Sequence, residues 1–144
     1  MARPPMKRTI LTLTITSLLV TAAFAGPIHD AAIKGDITLV QKLLDEGANV
    51  NAIERNYGAD TPLHKAVSGK GNKRGHREII AILIAAGAKV NKQNNQGLTP
   101  LSLASMGDYP NENAELLIAN GADVNAKVSK EANYKHQGKT QLDM

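Results

Sequence analysis

The chain has 144 residues, which is room for one domain. Its formal net charge is +4, but three of the 17 basic residues and none of the 13 acidic ones lie in the segment 1–25, so the remainder carries +1. Such a weak field does not attract phosphates, and we expect no nucleic-acid binding. The chain has no cysteine, which fits an oxidising compartment, excludes bacterial lipoprotein attachment and leaves packing as the source of stability.

The segment 1–25 has the order of features found in a secretory signal peptide. Three basic residues precede an uncharged run at 10–24, and Ala23-Phe24-Ala25 is a small-x-small cleavage sequence. The uncharged run is shorter than the roughly 20 residues that span a bilayer. We therefore expect cleavage after Ala25, no membrane insertion after that step, and export to the periplasm or the extracellular space.

The rest of the chain contains an internal repeat. The segment LLDEGANVN at 43–51 returns as LIAAGAKVN at 83–91 and as LIANGADVN at 117–125. Ahead of the last two copies stand TPLHKA at 61–66 and TPLSLA at 99–104. Each unit therefore has a marked beginning and a marked end, and this pairing resembles the ankyrin repeat.

The resemblance implies an all-α fold, an ankyrin-repeat solenoid of stacked helix-turn-helix units with short turn or hairpin connections. The predicted parts are a signal peptide at 1–25 and an ankyrin-repeat domain at 26–144, with repeats at about 26–57, 58–95 and 96–129 and an incomplete fourth at about 136–144. The incomplete fourth unit is too short to hold a helix by itself. We therefore expect either a truncated chain or an end covered by a partner.

The first helix of each unit is expected to be short. Threonine before proline can cap a helix whose first residue is the proline. This predicts helix starts at Thr61-Pro62 and Thr99-Pro100, and the aligned Gly26-Pro27 gives the first unit its start. These helices are expected to end near Gly35, Gly69 and Gly107.

The second helix of each unit is expected to bury an apolar stripe. Apolar residues recur at helical spacing at Ile37, Val40, Leu43 and Leu44 in the first unit and at Ile79, Ile80, Leu83 and Ile84 in the second. In the third unit Asn113 and Ala114 take the places of two of these isoleucines, so that helix should bury less apolar surface. The helices are expected to end at glycines with positive φ, namely Gly47, Gly87 and Gly121.

The second unit has an insertion in the stretch SGKGNKRG at 68–75, between its two helices. Extra length in a loop costs little stability. The stretch is rich in glycine and basic residues, and two interpretations stay open. It is either a plain solvated loop or a contact for an anion or an acidic partner.

No residue pattern predicts catalysis, a cofactor or a metal site. The resemblance implies that His29 and His64 make structural hydrogen bonds to neighbouring loop backbone. Ser102 and Ser105 do not lie in a GxSxG turn and have no evident paired base. Gly138-Lys139-Thr140 mimics the end of a phosphate-binding loop, but the first glycine of that motif is absent.

The tyrosines that follow the signal peptide, Tyr57, Tyr109 and Tyr134, lie in predicted connections rather than on apolar stripes. Tyrosine is enriched at binding hot spots, although each ring could instead pack on the adjacent repeat. The resemblance implies a concave contact face formed by turn tips and first helices. The predicted partner-binding residues are Glu54, Arg55, Tyr57, Lys70, Lys73, Arg74, Asn94, Asn95, Leu98, Met106 and Tyr109.

Ankyrin-like arrays are protein-binding surfaces, so the resemblance implies a non-catalytic module that docks another protein outside the cytoplasm. The alternative is a stoichiometric inhibitor or protective partner of an exported enzyme or toxin. A third hypothesis, a hydrolase that uses Ser102 or Ser105, lacks a visible constellation of nucleophile, base and orienting group.

Overall fold

In a computed structural model of the chain, the structure describes residues 26–55, 58–69, 73–106 and 110–128. The predicted signal peptide at 1–25 and the incomplete fourth unit at about 136–144 lie outside these ranges. The helices within them are α1 (Pro27–Lys34), α2 (Ile37–Asp45), α3 (Pro62–Ser68), α4 (Lys73–Ala85), α5 (Pro100–Met106) and α6 (Pro110–Ala119). No strand occurs in these ranges, and the predicted all-α class is confirmed.

The helices form two layers. Helix α3 packs between α1 and α5, and helix α4 packs between α2 and α6. Contacts also join α1 to α2, α3 to α4 and α5 to α6, so each unit is a helix pair. The pairs stack one after another, which confirms the prediction of a solenoid of helix-turn-helix units. We call α1, α3 and α5 the first-helix layer and α2, α4 and α6 the second-helix layer.

The first helices begin where threonine and proline predicted. In α3, the Thr61 hydroxyl accepts a hydrogen bond from the His64 backbone N–H at 3.4 Å, and the Thr61 N–H donates to His64 Nδ1 at 3.2 Å. In α5, the Thr99 hydroxyl accepts from the Ser102 N–H at 3.2 Å. Free N–H groups at both helix starts are thereby satisfied by the capping threonine.

The second helices end in the same way in all three units. The glycines Gly47, Gly87 and Gly121 have φ of 88°, 97° and 92°. The alanine after each glycine donates its N–H to a carbonyl five residues earlier, at 2.9 Å in every case. This is the hydrogen bond of a Schellman motif, in which glycine avoids the strain that a side chain would meet at positive φ. The predicted helix ends are confirmed.

The core lies between the layers and thins toward the third unit. Helix α4 buries Ile79, Ile80 and Leu83 completely, whereas Leu117 is the buried residue among the described side chains of α6. Asn113 and Ala114, which replace two of the α4 isoleucines, are half-buried. The expectation that the third unit packs less apolar surface is therefore confirmed for the described residues.

Helix α4 begins earlier than the sequence suggested. The predicted loop covers 68–75, but the helix starts at Lys73. The buried side chain of His76 explains this start, because its Nε2–H donates to the carbonyl of Ile33 at the end of α1, 2.9 Å away. That bond fixes the first turn of α4 against the first unit. The prediction that Lys73 and Arg74 belong to a loop is therefore wrong.

Candidate functional site

Histidines attach each of the first two units to the loop that follows. His29 Nε2 lies 2.9 Å from the carbonyl oxygen of Ala52 and 3.1 Å from that of Asp60. His64 Nε2 lies 3.0 Å from the carbonyl oxygen of Leu98. Carbonyl oxygens only accept, so Nε2 carries the proton in both rings. The predicted structural role of these histidines is confirmed.

Asparagine side chains join the second-helix ends of successive units. The Asn51 side chain donates to the carbonyl of Gly87 at 3.1 Å and accepts from the N–H of Lys89 at 2.8 Å. Asn91 makes the same two bonds with the third unit, at 3.0 and 2.8 Å. An asparagine amide can donate and accept at once, which suits this bridging position. These bonds set the spacing of the turn tips.

We call the loop between α2 and α3 the first tip loop and the loop between α4 and α5 the second tip loop. The first tip loop is closed by a charged network. Lys65 Nζ lies 2.8 Å from Glu54 Oε2 and 3.4 Å from Asp60 Oδ2. Asp60 Oδ1 accepts a hydrogen bond of 2.8 Å from the side-chain amide of Asn94 in the second tip loop. Burial alone would lower the pKa of Lys65, but the hydrogen bond to Glu54 and the charges of both carboxylates outweigh it and raise that pKa. The network therefore holds a charged lysine.

Two predicted partner-binding residues are turned inward by this network. Glu54 is only 7% exposed and Asn94 only 9%. The Asn94 side chain also accepts the backbone N–H groups of Gln96 and Leu98, at 2.9 and 3.0 Å, and so shapes its own loop. Each side chain closes a loop from inside rather than standing free at its surface, and the predicted role of Glu54 and Asn94 in partner binding stays a prediction.

The other predicted contact residues divide into three groups. Arg55, Asn95 and Met106 are exposed, and Leu98 is half-buried. The side chains of Lys73 and Arg74, at the start of α4, are not among those described. The remaining predicted residues, Tyr57, Lys70 and Tyr109, lie outside the described ranges. None of these placements tests partner binding, which stays a prediction.

The first-helix layer presents a row of equivalent exposed positions. Ile33, Ser68 and Met106 each stand seven residues after the cap residue of their helix, and all are exposed. Lys65, three residues before Ser68 on the same face of α3, reaches the carboxylates of the loop that precedes this helix. Sequence reasoning selected Met106 and missed Ile33 and Ser68, although the repeat register places the three residues together.

Exposed residues also occur in the first two tip loops. At the first tip, the side chain of Ile53 is 46% exposed, and Arg55 beside it is also exposed. Asn95 is exposed at the second tip, and its N–H donates to the carbonyl of Gly58 in the first tip loop at 2.7 Å. We call the combined set the candidate surface. It consists of Ile33, Ile53, Arg55, Ser68, Asn95 and Met106.

The serines considered as nucleophiles are engaged in helix structure. Ser102 Oγ shares a hydrogen bond of 3.0 Å with the Thr99 hydroxyl, and the Ser105 hydroxyl donates to the Ser102 carbonyl at 2.7 Å. The described residues contain no group of three or more His, Asp or Glu side chains placed to hold a metal ion. In the same part of the chain, no helix is both long enough and apolar enough to cross a membrane.

Stacked helix pairs joined by histidine and asparagine bridges define a helical repeat protein of the solenoid class. The sequence pattern of the family described as ankyrin repeats (3 copies) matches residues 28–128. The chain therefore belongs to the ankyrin-repeat family, whose repeats generally mediate protein–protein interaction and are typically non-catalytic.

Relatives with this repeat come from distant sources. The chain is 40% identical to the 2-5A-dependent ribonuclease of Mus musculus over 76 residues, which are 53% of this chain and 10% of that protein. It is 35% identical to an ankyrin repeat protein of Rickettsia felis over 111 residues, 71% of this chain and 45% of the relative. It is 32% identical to the nuclear factor NF-kappa-B p105 subunit of Rattus norvegicus over 110 residues, 74% of this chain and 10% of the relative. The chain thus spans less than half the length of each.

Proposed function

We propose that this chain is a non-catalytic module that docks another protein outside the cytoplasm and uses the candidate surface to do so. The observation that carries the proposal is the exposure of large apolar side chains in the first-helix layer and in the loop that follows the first unit. Met106 is 69% exposed, Ile53 46% and Ile33 39%. Methionine adapts to varied partners, and arginine, here Arg55, is enriched at protein interfaces.

The rigidity of the scaffold also supports this proposal. Binding loses less free energy to ordering when the contact residues are already held in place. The Asn51 and Asn91 bridges, together with the Lys65 network, hold the tips through hydrogen bonds and ion pairs of 2.8 to 3.4 Å. A partner would therefore meet a preformed face.

The location is proposed from the segment 1–25 alone. A basic start, an uncharged run and a small-x-small sequence are the features that direct export and cleavage. The test is N-terminal sequencing of the protein recovered from the extracytoplasmic fraction of cells that produce the full chain. We expect Gly26 as the first residue. Recovery only from the cytoplasm, with the segment 1–25 intact, would contradict export.

The docking proposal is tested by pull-down with the full chain carrying a C-terminal tag. The variant Ile53→Ser, Met106→Ser removes the two apolar side chains of the candidate surface that the structure leaves most exposed. The control is Ile118→Ser, because Ile118 is 47% exposed, nearly the same as Ile53 at 46%, but lies in the second-helix layer. Circular dichroism confirms that all variants are folded.

We expect a protein retained by the parent chain and by the control but lost by the double variant. Retention of the same protein by all three would contradict the candidate surface. Once a partner is identified, titration of its activity distinguishes the two modes of action. A stoichiometric loss of activity would identify an inhibitor, and unchanged activity would identify a tether.

A further inference from the structure

The first unit contains a buried imidazole nitrogen that lacks a donor. His29 is 2% exposed, and its Nε2–H points at the carbonyl oxygens of Ala52 and Asp60. Since Nε2 carries the proton, Nδ1 is the accepting nitrogen of the neutral ring. Nδ1 is buried and has no hydrogen-bond partner. A buried acceptor left in this state is unusual, because its desolvation is not compensated.

The second unit shows which group is missing. There, His64 Nδ1 accepts the N–H of Thr61 at 3.2 Å and the Thr61 hydroxyl at 2.8 Å. In the first unit the same cap position is held by Gly26, which has no hydroxyl and makes no side-chain cap. A Cβ built on Gly26 would lie 3.4 Å from His29 Nδ1. Gly26 therefore lies next to His29 Nδ1, but it has no side chain that could donate a hydrogen bond to that nitrogen.

We propose that cleavage after Ala25 supplies the missing donor, as the freed amino group of Gly26 hydrogen-bonds to His29 Nδ1 and completes the cap of α1. This inference rests on the proposed export. In the cleavage, water adds across the amide bond: its hydroxyl goes to the carbonyl carbon of Ala25 and its proton to the nitrogen of Gly26. A peptide N–H has one fixed direction, whereas an amino group turns about the N–Cα bond and carries at least two N–H donors. Removal of the leader would thus stabilise the domain that it precedes.

The test compares two prepared proteins, one that starts at Gly26 and one that keeps Ala25 in front of it. A second pair carries Gly26→Ser, because a serine hydroxyl at this position would reach Nδ1 whether or not the chain is cut. Gly26 has φ of −59° and ψ of 142°, which serine adopts without strain. The readouts are thermal unfolding and the ¹⁵N chemical shift of His29 Nδ1.

We expect the protein that starts at Gly26 to melt about 4 °C higher than the one that keeps Ala25. The His29 Nδ1 shift should move in the direction of a hydrogen-bonded acceptor, and Gly26→Ser should shrink the difference between the two forms. Equal melting temperatures with an unchanged Nδ1 shift would overturn the proposal, as would a difference that Gly26→Ser leaves intact. The comparison is independent of export, because both proteins are prepared directly and the N-terminal sequencing above tests the cellular cleavage.

Discussion

At the scale of single residues, the fold depends on buried histidines that join neighbouring units through hydrogen bonds. His64 accepts at Nδ1 from its own cap residue and donates at Nε2 to the Leu98 carbonyl of the next loop. His76 bridges to the first unit and lies against Gly69. The hydrogen bonds of His64 lead to a prediction about pH, and the contact between His76 and Gly69 leads to a prediction about substitution of that glycine.

The first prediction concerns the stability of the domain at low pH. Burial lowers the pKa of His64 from its usual 6.5, and the Leu98 hydrogen bond and the charge of Asp60 offset this only in part. The unfolded state therefore binds more protons than the folded state as the pH falls below about 6.5. We expect the melting temperature to hold above that pH and to decline as the pH falls toward the lowered pKa of the folded state.

The control for this prediction is His64→Gln, which removes the titrating group. We expect this variant to melt lower than the parent at pH near 7.5 but to lose less on acidification to about pH 5. Thermal melts across this range, together with NMR titration of His64, provide the measurement. An equal decline in parent and variant would show that His64 is not the cause.

The second prediction compares two glycines with nearly the same backbone. Gly69 has φ of −62° and ψ of 140°, and Gly26 has −59° and 142°. A Cβ at Gly69 would overlap the His76 ring, whereas a Cβ at Gly26 meets ordinary contacts from 3.4 Å outward. Gly69→Ala should therefore destabilise the domain by about 1 to 3 kcal/mol, and Gly26→Ala should not.

Urea unfolding of both variants measures the difference, and the comparison is repeated in a His76→Ala background. We expect the effect of Gly69→Ala to decrease there, because the overlapping ring is gone. Similar losses for the two glycine variants would mean that backbone freedom, and not the His76 ring, decides the effect.

At the scale of helices, stability comes from apolar faces pressed between neighbouring units. Helix α4, whose apolar stripe is buried, contacts α1, α2, α3 and α6. The capping and Schellman bonds at the helix ends determine where each face begins and ends. Since short helices are marginal by themselves, each one persists because its neighbours cover it.

The third prediction tests this burial at Leu83. Leu83 lies in α4 and is completely buried, so Leu83→Ala should lower the free energy of unfolding by about 2 to 5 kcal/mol. The matched control is Ile118→Ala, since Ile118 lies in the same layer but is 47% exposed. We expect a much smaller loss for the control in urea unfolding. An unchanged midpoint for Leu83→Ala would contradict the stacking of the units.

At the scale of the whole molecule, the stack is uneven from one end to the other. Helix α4 has neighbours on both sides in its layer, whereas α6 is the last described helix and its described side chains include one buried residue, Leu117. Asn51 and Asn91 each bind the following unit. The side chain of Asn125 makes no corresponding bond within the described part of the chain.

The fourth prediction follows from this unevenness. We expect the amides of α6 to exchange with solvent hydrogen faster than those of α4 in the native protein, because fewer buried contacts hold α6 closed. Native-state hydrogen exchange read by mass spectrometry measures both helices in one sample, so α4 serves as the internal control for α6. Equal protection of the two helices would mean that the array opens as a single unit.

The sequence by itself determined the repeat, the helix starts and the helix ends, because these depend on local chemistry. Threonine followed by proline favours a helix start at Thr61-Pro62, and the glycines at 47, 87 and 121 take a positive φ that most other residues adopt only with strain. Only the tertiary structure decided which polar side chains face inward. Glu54 and Asn94 look like surface residues by type, and they are buried because Lys65 and Asp60, brought close by folding, satisfy them. The early start of α4 depends in the same way on tertiary structure. His76 in its first turn donates a hydrogen bond to the carbonyl of Ile33, which is far away in the chain.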